Sequence, residues 1–314
     1  MKVIVEKTSI FKSLSHVQNI AEKKNTLPIL SNILLEAREN SLILSATDMD
    51  ISITDKVDCN VVEIGSTTVP AHTLYDIIRK LPDSGEIELI SNDGKIMTLR
   101  AGKSKFSLGC LPKEDFPIIE VENLENELSI DSQKFLKLIN KTRFAISSEE
   151  TRYFLNGIYF HIKNENQKNI LTLVATDGHR LAKFDYNTKD NSKEIPGIII
   201  PKKTINEVFK LLSDYEGSIK INLDSNKIVF FIGESILISK LIDGNFPDYR
   251  RVIPKENKNK LIINRESFSL AVDRVSTIVN EKSPIIKFKL LNNVMNMSSV
   301  NNENGTATED ITTK

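Results

Sequence analysis

The sequence contains no tryptophan, only two cysteines and only four histidines in 314 residues. Cys59 and Cys110 are too few for a disulfide framework or a zinc site, so both are expected to be reduced and inert. The histidines have no ligand spacing between them, and the chain has no glycine-rich phosphate loop, nucleophile elbow or paired-histidine motif. We therefore predict no metal site and no cofactor.

Long apolar runs are missing as well. No run approaches the roughly 20 residues that a membrane-spanning helix needs, and the amino terminus reaches Glu6 too early for a signal peptide. An excess of one charge is also missing, because 42 basic residues balance 42 acidic ones. These absences predict a cytoplasmic protein that does not bind membranes and is not basic as a whole.

What the chain does have is an internal repeat. Pro70 returns as Pro201, an offset of 131 residues, and Phe116-Pro117 returns as Phe246-Pro247. Repeats this long are whole domains, because solenoid units have periods of about 20 to 50 residues. The predicted modules are residues 1–124, residues 127–255 and an incomplete third module over residues 258–314.

The third module repeats only the beginning of the pattern. Its first helix carries Phe268 and Val272 where the first module has Ile10 and Leu14. Judged by the length of the first two copies, it lacks more than half of itself, including the second helix. The dipeptide Asn304-Gly305 is a hairpin signal, which predicts two more strands near the end of the chain.

Within a module, the predicted order is a strand, a helix and several strands, and this order occurs twice. Ile10, Leu14 and Val17 have the i, i+4, i+7 spacing of a helix with one apolar face. Pro70 stands at the entrance of the second helix, where its missing N–H costs nothing. Two helices on one face of antiparallel sheets in each module make the predicted fold class α+β.

Basic residues concentrate on the predicted helices. The helix from Ser132 to Arg143 carries four basic residues and no acid, and the second helix of that module opens with Lys202-Lys203. One interpretation is a solvated helix surface. The other is a positive face for the phosphate backbone of duplex DNA, which it would bind without reading sequence. Single strands fit less well, because these helices have no aromatic stripe.

Three stretches resemble a known family. They are residues 26–32 (TLPILSN), residues 152–157 (RYFLNG) with 175–181 (ATDGHRL), and residues 243–252 (DGNFPDYRRV). Together with the repeat, they resemble the bacterial β sliding clamp family, the processivity subunit of DNA polymerase III, over nearly the whole chain.

The resemblance implies a DNA clamp fold of three domains per subunit. Two subunits would join head to tail in a closed ring, with the helices inside and double-stranded DNA passing through the hole. It also implies a non-catalytic subunit that an ATP-driven clamp loader places on DNA and that slides without ATP. The ring would tether the polymerase by raising its effective concentration at the template.

The resemblance further implies three sets of site residues. The DNA-facing positions resemble Lys24, His72, Arg79, Arg152, Tyr153, Phe154 and Lys202. A peptide-binding pocket would take short motifs from the DNA polymerase III catalytic subunit, the clamp loader, other polymerases and repair proteins. That pocket resembles Leu155, Thr176, Gly178, His179, Arg180, Leu181, Pro247, Arg251 and Val252. The dimer interface resembles the strand that carries Phe106 and Leu108.

Some of these residues allow two interpretations. Arg152 is either a DNA contact or an ion-pair residue, because Glu149 lies in the same loop. Tyr153 and Phe154 are either surface or core aromatics. The segment Asp177-Gly-His-Arg is either a catalytic group or a turn that His179 supports, and the turn is favoured because no nucleophile or ligand set accompanies it.

Two rival functions follow from the same residues. One is an enzyme with a metal on Asp48, Asp50 and Asp177, although Asp48 and Asp177 occupy equivalent repeat positions and so favour a shared structural turn. The other is a peptide-binding scaffold that does not encircle DNA. Because the third module lacks its second half, we expect this chain to dimerise poorly and to expose an unpaired sheet edge.

Overall fold

The computed structural model describes residues 1–23, 26–83, 85–92, 94–119, 124–165, 167–188, 194–279, 284–301 and 305–314. These residues form two compact units, Met1–Phe246 and Pro247–Lys314. Within the described ranges, every helix falls short of the length and apolar character that crossing a lipid bilayer requires.

The first unit consists of helices packed on antiparallel sheets. Its helices are α1 (Lys7–Val17), α2 (Ala71–Lys80), α3 (Ser132–Thr142) and α4 (Lys202–Ser213). The strands up to α3 are β1 (Lys2–Glu6), β2 (Asn32–Arg38), β3 (Ser41–Thr47), β4 (Ile51–Asp58), β5 (Asn60–Glu63), β6 (Gly65–Pro70), β7 (Glu86–Ser91), β8 (Ile96–Ala101), β9 (Ser104–Gly109) and β10 (Asn126–Asp131). The later strands are β11 (Gly157–Glu165), β12 (Lys168–Thr176), β13 (Leu181–Asn187), β14 (Ile195–Pro201), β15 (Ser218–Leu223), β16 (Lys227–Ile232) and β17 (Ser235–Lys240).

The strand order shows that the two halves of each repeat exchange their first strands. β6, which leads into α2, pairs with β2, while β1, which leads into α1, pairs with β7. In the same way, β14 pairs with β11 and β10 pairs with β15. Neither half can complete its own sheet, so the halves fold together. β5 is an added edge strand beside β1.

One sheet runs across both copies of the repeat. The sheets have the orders β5-β1-β7-β8-β9, β10-β15-β16-β17-β4-β3-β2-β6 and β13-β12-β11-β14. In the long sheet, β17 pairs with β4, and the Lys240 N–H donates to the Asp50 carbonyl oxygen at 2.8 Å. Lys203 at the start of α4 also pairs with the Asp48 carboxylate. The first two copies are therefore joined by a continuous backbone ladder.

Apolar side chains on one face of each helix form the core of this unit. Ile10 and Leu14 on α1 and Phe135 and Ile139 on α3 are all 0% exposed. Full burial of side chains of this size stabilises the fold by about 1.5–3 kcal/mol each. Of the four helices, α3 alone has a side-chain cap in the described residues, since its Asp131 carboxylate accepts from the Lys134 N–H at 3.0 Å.

The second unit contains one helix on a three-stranded sheet. The elements are α5 (Arg265–Ser276), β18 (Lys287–Leu291), β19 (Val294–Asn301) and β20 (Gly305–Thr312), with strand order β18-β19-β20. Its small core consists of Ala271, Val275, Met295, Met297 and Ile311. The Arg274 guanidinium donates to the Glu309 carboxylate, with Nε at 3.0 Å, and ties the helix to β20.

The predicted α+β class is confirmed, and the predicted helices are present. Pro70 is the N-cap of α2 and so stands at the entrance of that helix, as predicted. Two details differ. The helix predicted to end at Arg143 ends at Thr142. The hairpin signal at Asn304-Gly305 is followed by a single strand, β20, because β19 already extends to Asn301; Asn304 itself lies outside the described residues. Cys59 and Cys110 are not joined in a disulfide, and burial raises the pKa of the Cys59 thiol.

Candidate functional site

Four of the predicted site residues, Arg152 to Leu155, lie on the short 3-10 segment Glu150–Leu155, which leads into β11. Arg152 interrupts that segment with a non-helical backbone, at φ −114° and ψ 51°. Leu155 is 3% exposed and anchors the segment in the core. Tyr153 is 55% exposed and packs edge to face on Phe154, with ring centroids 5.8 Å apart. Tyr153 is therefore a surface aromatic, while Phe154 lies half-buried beneath it.

Arg152 is held by a bidentate ion pair with Glu149. Its Nε donates to Glu149 Oε2 at 2.8 Å and its Nη2 donates to Oε1 at 2.6 Å. These hydrogen bonds raise the pKa of the Arg152 guanidinium. The structure thus contains the Arg152 ion pair, in which Glu149 offsets the charge that a phosphate would meet.

Arg152 also covers the turn between β12 and β13. A Cβ atom on Gly178 would lie 2.5 Å from Arg152 Nη1, and the φ of Gly178 is +88°. A side chain there would have to displace the guanidinium, and the backbone favours glycine as well. Gly178 is therefore required for the close approach of the 3-10 segment to this turn.

The turn itself is built on Asp177. Its Oδ1 accepts from the backbone N–H groups of His179 and Arg180, both at 3.0 Å, and its Oδ2 accepts from Arg180 Nε at 2.9 Å. Backbone hydrogen bonds from Arg180 and His179 lower the pKa of Asp177 from 3.8 to about 2. Thr176 closes the turn, because its hydroxyl donates to the Arg180 carbonyl oxygen at 2.7 Å. His179 is exposed and supplies only its backbone to these hydrogen bonds.

The turn at Asp48 is built in the same way. Asp48 Oδ1 accepts from the N–H groups of Asp50 and Ile51 at 3.0 and 2.8 Å. Asp48 and Asp177 thus build equivalent structural turns, as their repeat positions predict. Among the described residues, no three His, Cys, Asp or Glu side chains are grouped to hold a metal ion. The metal-enzyme hypothesis has no geometric support in that part of the chain.

The other DNA-facing candidates lie on helix starts and ends. Lys202 begins α4, and its ammonium donates to the Ser148 hydroxyl at 2.6 Å. Arg79 in the last turn of α2 is half exposed and pairs with Asp76 at 3.0 Å. His72 Nε2 lies 2.9 Å from the Ala21 carbonyl oxygen and fixes the chain that leads toward Lys24. Lys24 itself lies outside the described residues.

The remaining pocket candidates belong to the second unit. Asp248 starts a 3-10 turn over Tyr249–Arg251, and its Oδ2 accepts from Arg251 Nε at 3.0 Å. The Val252 side chain is 68% exposed, and Pro247 is exposed as well. These residues present an apolar and basic surface on their own unit.

Two further aromatic residues were not predicted as site residues. Phe144 is 57% exposed, and the Arg180 guanidinium lies 5.8 Å from the centre of its ring. Arg143 lies over Phe209 at 3.5 Å. In the sequence, both aromatics look like ordinary members of helix patterns, so only their exposure and their cation–π contacts distinguish them.

The predicted dimer strand, β9, is the edge of its sheet. Phe106 is half-buried, and Leu108 is 9% exposed. Phe106 borders a cleft of about 460 Å³ between α2 and β9, which His72 and Ile77 also line. Within the described residues, the outer side of β9 has no strand partner, so its backbone is open to another strand.

Comparison with known proteins supports this architecture. Models of the DNA polymerase III beta subunit match the chain in three parts: the N-terminal domain over residues 1–120, the central domain over residues 129–248 and the C-terminal domain over residues 250–314. The beta sliding clamp of Caulobacter vibrioides is 43% identical over 312 residues, which are 99% of this chain and 84% of that protein. That of Rickettsia felis is 38% identical over 315 residues, covering 99% of this chain and 82% of that protein.

Solved structures agree with the sequence matches. The structure of a sliding clamp from Bartonella birtlesii bound to griselimycin matches with a TM-score of 0.93 at 43% identity, over 100% of this chain and 84% of that one. The fold and the three matched domains define a processivity subunit of the DNA polymerase III type. The chain belongs to the beta sliding clamp family. Members of this family are non-catalytic subunits of the replication machinery.

Proposed function

We propose that this chain is a sliding clamp subunit that encircles duplex DNA and tethers the replicative polymerase. The observation that carries the proposal is the ordered match of all three beta-subunit domain models along one chain. A clamp loader driven by ATP would place it on DNA, and it would then slide without ATP. Tethering turns repeated polymerase binding into an intramolecular event with a high effective concentration. We assign its three domains to residues 1–124, 127–255 and 258–314, and its location to the cytoplasm, where bacterial replication takes place.

We propose that the DNA surface is formed by Arg79, Lys202, Tyr153 and the Arg152 loop, together with His72, Phe154 and Lys24. Arg79 and Tyr153 are more than half exposed, which leaves them accessible to a phosphate backbone. Lys202 reaches Ser148 next to the Arg152 loop, so the charges of Lys202 and Arg152 lie in one neighbourhood. Contacts of this kind position DNA without reading its sequence.

We propose that short peptide motifs bind at the Asp177 turn. The turn presents exposed Gly178, His179 and Arg180, and the exposed Phe144 lies beside Arg180. The buried Leu155 is assigned to the same surface. Rigid backbone hydrogen bonds around Asp177 hold this surface before a peptide arrives, which lowers the ordering cost of binding. Leu181 and Thr176 border the turn, and Pro247, Arg251 and Val252 are assigned to the same function.

We propose a head-to-tail homodimer that uses β9. Such a joint needs a second open strand edge, and the sheet of the second unit has an open edge on each side among the described residues, β18 and β20. A strand edge that β9 could pair with is therefore available. The alternative function, a peptide-binding scaffold without encirclement, is less well supported because the resemblance extends through all three domains.

The deciding experiment measures retention of the chain on a nicked circular plasmid, with and without a clamp loader and ATP. Retention that needs the loader and is lost when the plasmid is linearised would show a topologically closed ring. Retention that survives linearisation would show ordinary DNA binding. No retention, with intact binding of a polymerase peptide, would overturn the proposal in favour of the scaffold.

A further inference from the structure

The sheet β13-β12-β11-β14 has a packed layer on the side away from the core. Successive side chains of a strand point to opposite faces, and Ile158 and Phe160 of β11 belong to the core. Tyr159 therefore lies on the outer face. Its cross-strand neighbours, Val174 on β12 and Ile199 on β14, are 0% and 2% exposed. Tyr159 thus stands in the middle of a covered apolar row.

The chain that follows β17 covers this row. We call residues 242–246 the exit segment, because Phe246 is the last residue of the first unit. The Phe246 ring stacks on the Tyr159 ring, with centroids 4.8 Å apart and an angle of 7° between the planes. The Ile242 N–H donates to the Ile199 carbonyl oxygen at 3.0 Å. Both ends of the exit segment are therefore fixed to the outer face of the sheet.

The middle of the exit segment lies against the 3-10 segment Glu150–Leu155. A Cβ atom on Gly244 would lie 3.2 Å from Phe154 Cβ and 3.5 Å from Tyr153 Cε2, so the glycine backbone contacts both residues. The same 3-10 segment carries Arg152, which covers the Asp177 turn. The exit segment therefore braces the segment that packs on this turn.

The position of the Tyr159 ring depends on a glycine in the neighbouring strand. A Cβ atom on Gly197 would lie 1.9 Å from the Tyr159 hydroxyl oxygen and 2.1 Å from its Cζ. In the first repeat, counted back from the proline that ends the strand, Ser66 takes the place of Gly197. Leu34 takes the place of Tyr159, since each lies two residues beyond the residue paired with that proline. The large ring occurs with glycine, and the shorter leucine occurs with serine.

The Phe-Pro dipeptide covers the outer face in both repeats. Phe116 and Leu34 belong to one buried cluster in the first repeat, as Phe246 and Tyr159 pack together in the second. Only the second pair is aromatic on both sides. Stacked rings prefer a defined geometry and contribute more than their buried area alone. The second repeat therefore holds its Phe-Pro dipeptide in a more closely defined position.

We infer that Tyr159 is a positioning residue for peptide binding, an inference that rests on the peptide function proposed for the Asp177 turn. The Tyr159–Phe246 stack holds the exit segment, and the exit segment braces the 3-10 segment. Arg152 of that segment in turn covers Gly178. Tyr159 acts on the peptide surface through these contacts. The stack orders the surface before a peptide arrives, which lowers the ordering cost of binding.

The first readout needs no ligand. Amide hydrogen exchange at Ile242 in the whole chain shows whether the exit segment is held, because this N–H is bonded to Ile199. We expect Tyr159→Leu to speed the exchange by about three- to tenfold, the range for an aromatic pair. Gly197→Ala should speed it as well, since the new Cβ displaces the ring. Tyr159→Phe keeps the ring and should stay within about twofold.

The second readout is the affinity for a synthetic peptide that carries the clamp-binding segment of a DNA polymerase III catalytic subunit, measured by surface plasmon resonance. Tyr159→Leu and Gly197→Ala should each weaken binding by about three- to tenfold. The double variant should lose no more than either single variant, because the ring that Gly197 accommodates is already absent. Tyr159→Phe should restore the affinity.

Tyr186→Leu is the matched control. Tyr186 lies on β13 of the same sheet but packs against the core, with the Lys134 ammonium 5.7 Å from its ring centre. It should change neither readout by more than about twofold. Unchanged exchange at Ile242 in Tyr159→Leu, unchanged peptide affinity, or additive losses in the double variant would overturn the inference. If Tyr159→Leu speeds the exchange but the unaltered chain binds no peptide, the proposed peptide function fails and the role of Tyr159 in it fails too, while the stack itself stands.

Discussion

At the scale of single residues, the Glu149–Arg152 pair decides how positive the proposed DNA surface is. The Arg152 guanidinium donates three hydrogen bonds to Glu149, so a phosphate must compete with a carboxylate already in place. Glu149→Gln removes that charge and frees Arg152. We expect tighter binding to duplex DNA at low salt, and a slope of log K against log salt that is steeper by about 0.9, the value of one added phosphate contact.

The neighbouring residue supplies the control for this prediction. Glu150 is also exposed, and it forms no ion pair among the described residues. Glu150→Gln makes the same change in net charge without releasing Arg152, so it should shift the affinity much less and leave the slope nearly unchanged. Equal effects of the two substitutions would mean that only the overall charge matters and that Arg152 does not touch DNA.

At the scale of elements, much of the fold follows from sequence patterns, while the exchange of strands does not. Apolar spacing places α1 correctly, because Ile10 and Leu14 recur on one face of the helix. Nothing in the spacing says that β6 joins β2 rather than β7, since pairing depends on contacts far apart in the chain. The short strand β5 is missed because Asn60–Glu63 has only one side chain that is not exposed and gives no alternation.

The sequence likewise predicts part of the candidate site but not all of it. The resemblance identifies the Asp177 turn, but the approach of Arg152 Nη1 to Gly178 is visible only in three dimensions. Phe144 has no sequence signal at all, because an exposed phenylalanine after a helix looks like a buried one. Sequence gives the residue types of a site, and tertiary packing decides which of them are accessible.

The Asp177 turn permits a test at this scale. Asp177→Ala removes the acceptor of two backbone N–H groups and of Arg180 Nε, so the peptide surface loses its preformed shape. We expect about tenfold weaker binding of a synthetic peptide that carries the clamp-binding segment of a DNA polymerase III catalytic subunit, measured by surface plasmon resonance. Asp48→Ala breaks the equivalent turn elsewhere in the repeat and should leave that binding unchanged. A comparable loss in both variants would point to general destabilisation.

The same turn also has a defined pH dependence. The folded pKa of Asp177 is about 2, below its ordinary 3.8. The carboxylate therefore contributes its full stability above pH 3.8, and that contribution is lost as the pH falls through about 2. The difference in free energy of unfolding between the unaltered chain and Asp177→Ala should accordingly be constant above pH 3.8 and shrink below it, as urea denaturation at several pH values can show.

At the scale of the whole molecule, function depends on whether two chains close into a ring. β9 is open along its outer side in the described residues and carries half-buried Phe106. Within the chain, the edge strand β17 of the second repeat pairs with β4 of the first, and this pairing joins the two repeats in one sheet. Strand pairing of the same kind between chains would join β9 of one subunit to an edge strand of the partner's third domain. A ring results only if both joints form, because a head-to-tail interface must close on itself.

Phe106→Asp tests that joint. A charge at an apolar strand edge should break the pairing, so light scattering should change from a dimer to the 35.4 kDa monomer. Val62→Asp is the control, since Val62 is 55% exposed on β5, at the opposite edge of the same sheet. It should leave the dimer intact. If the unaltered chain is already monomeric, β9 is not an interface in this chain.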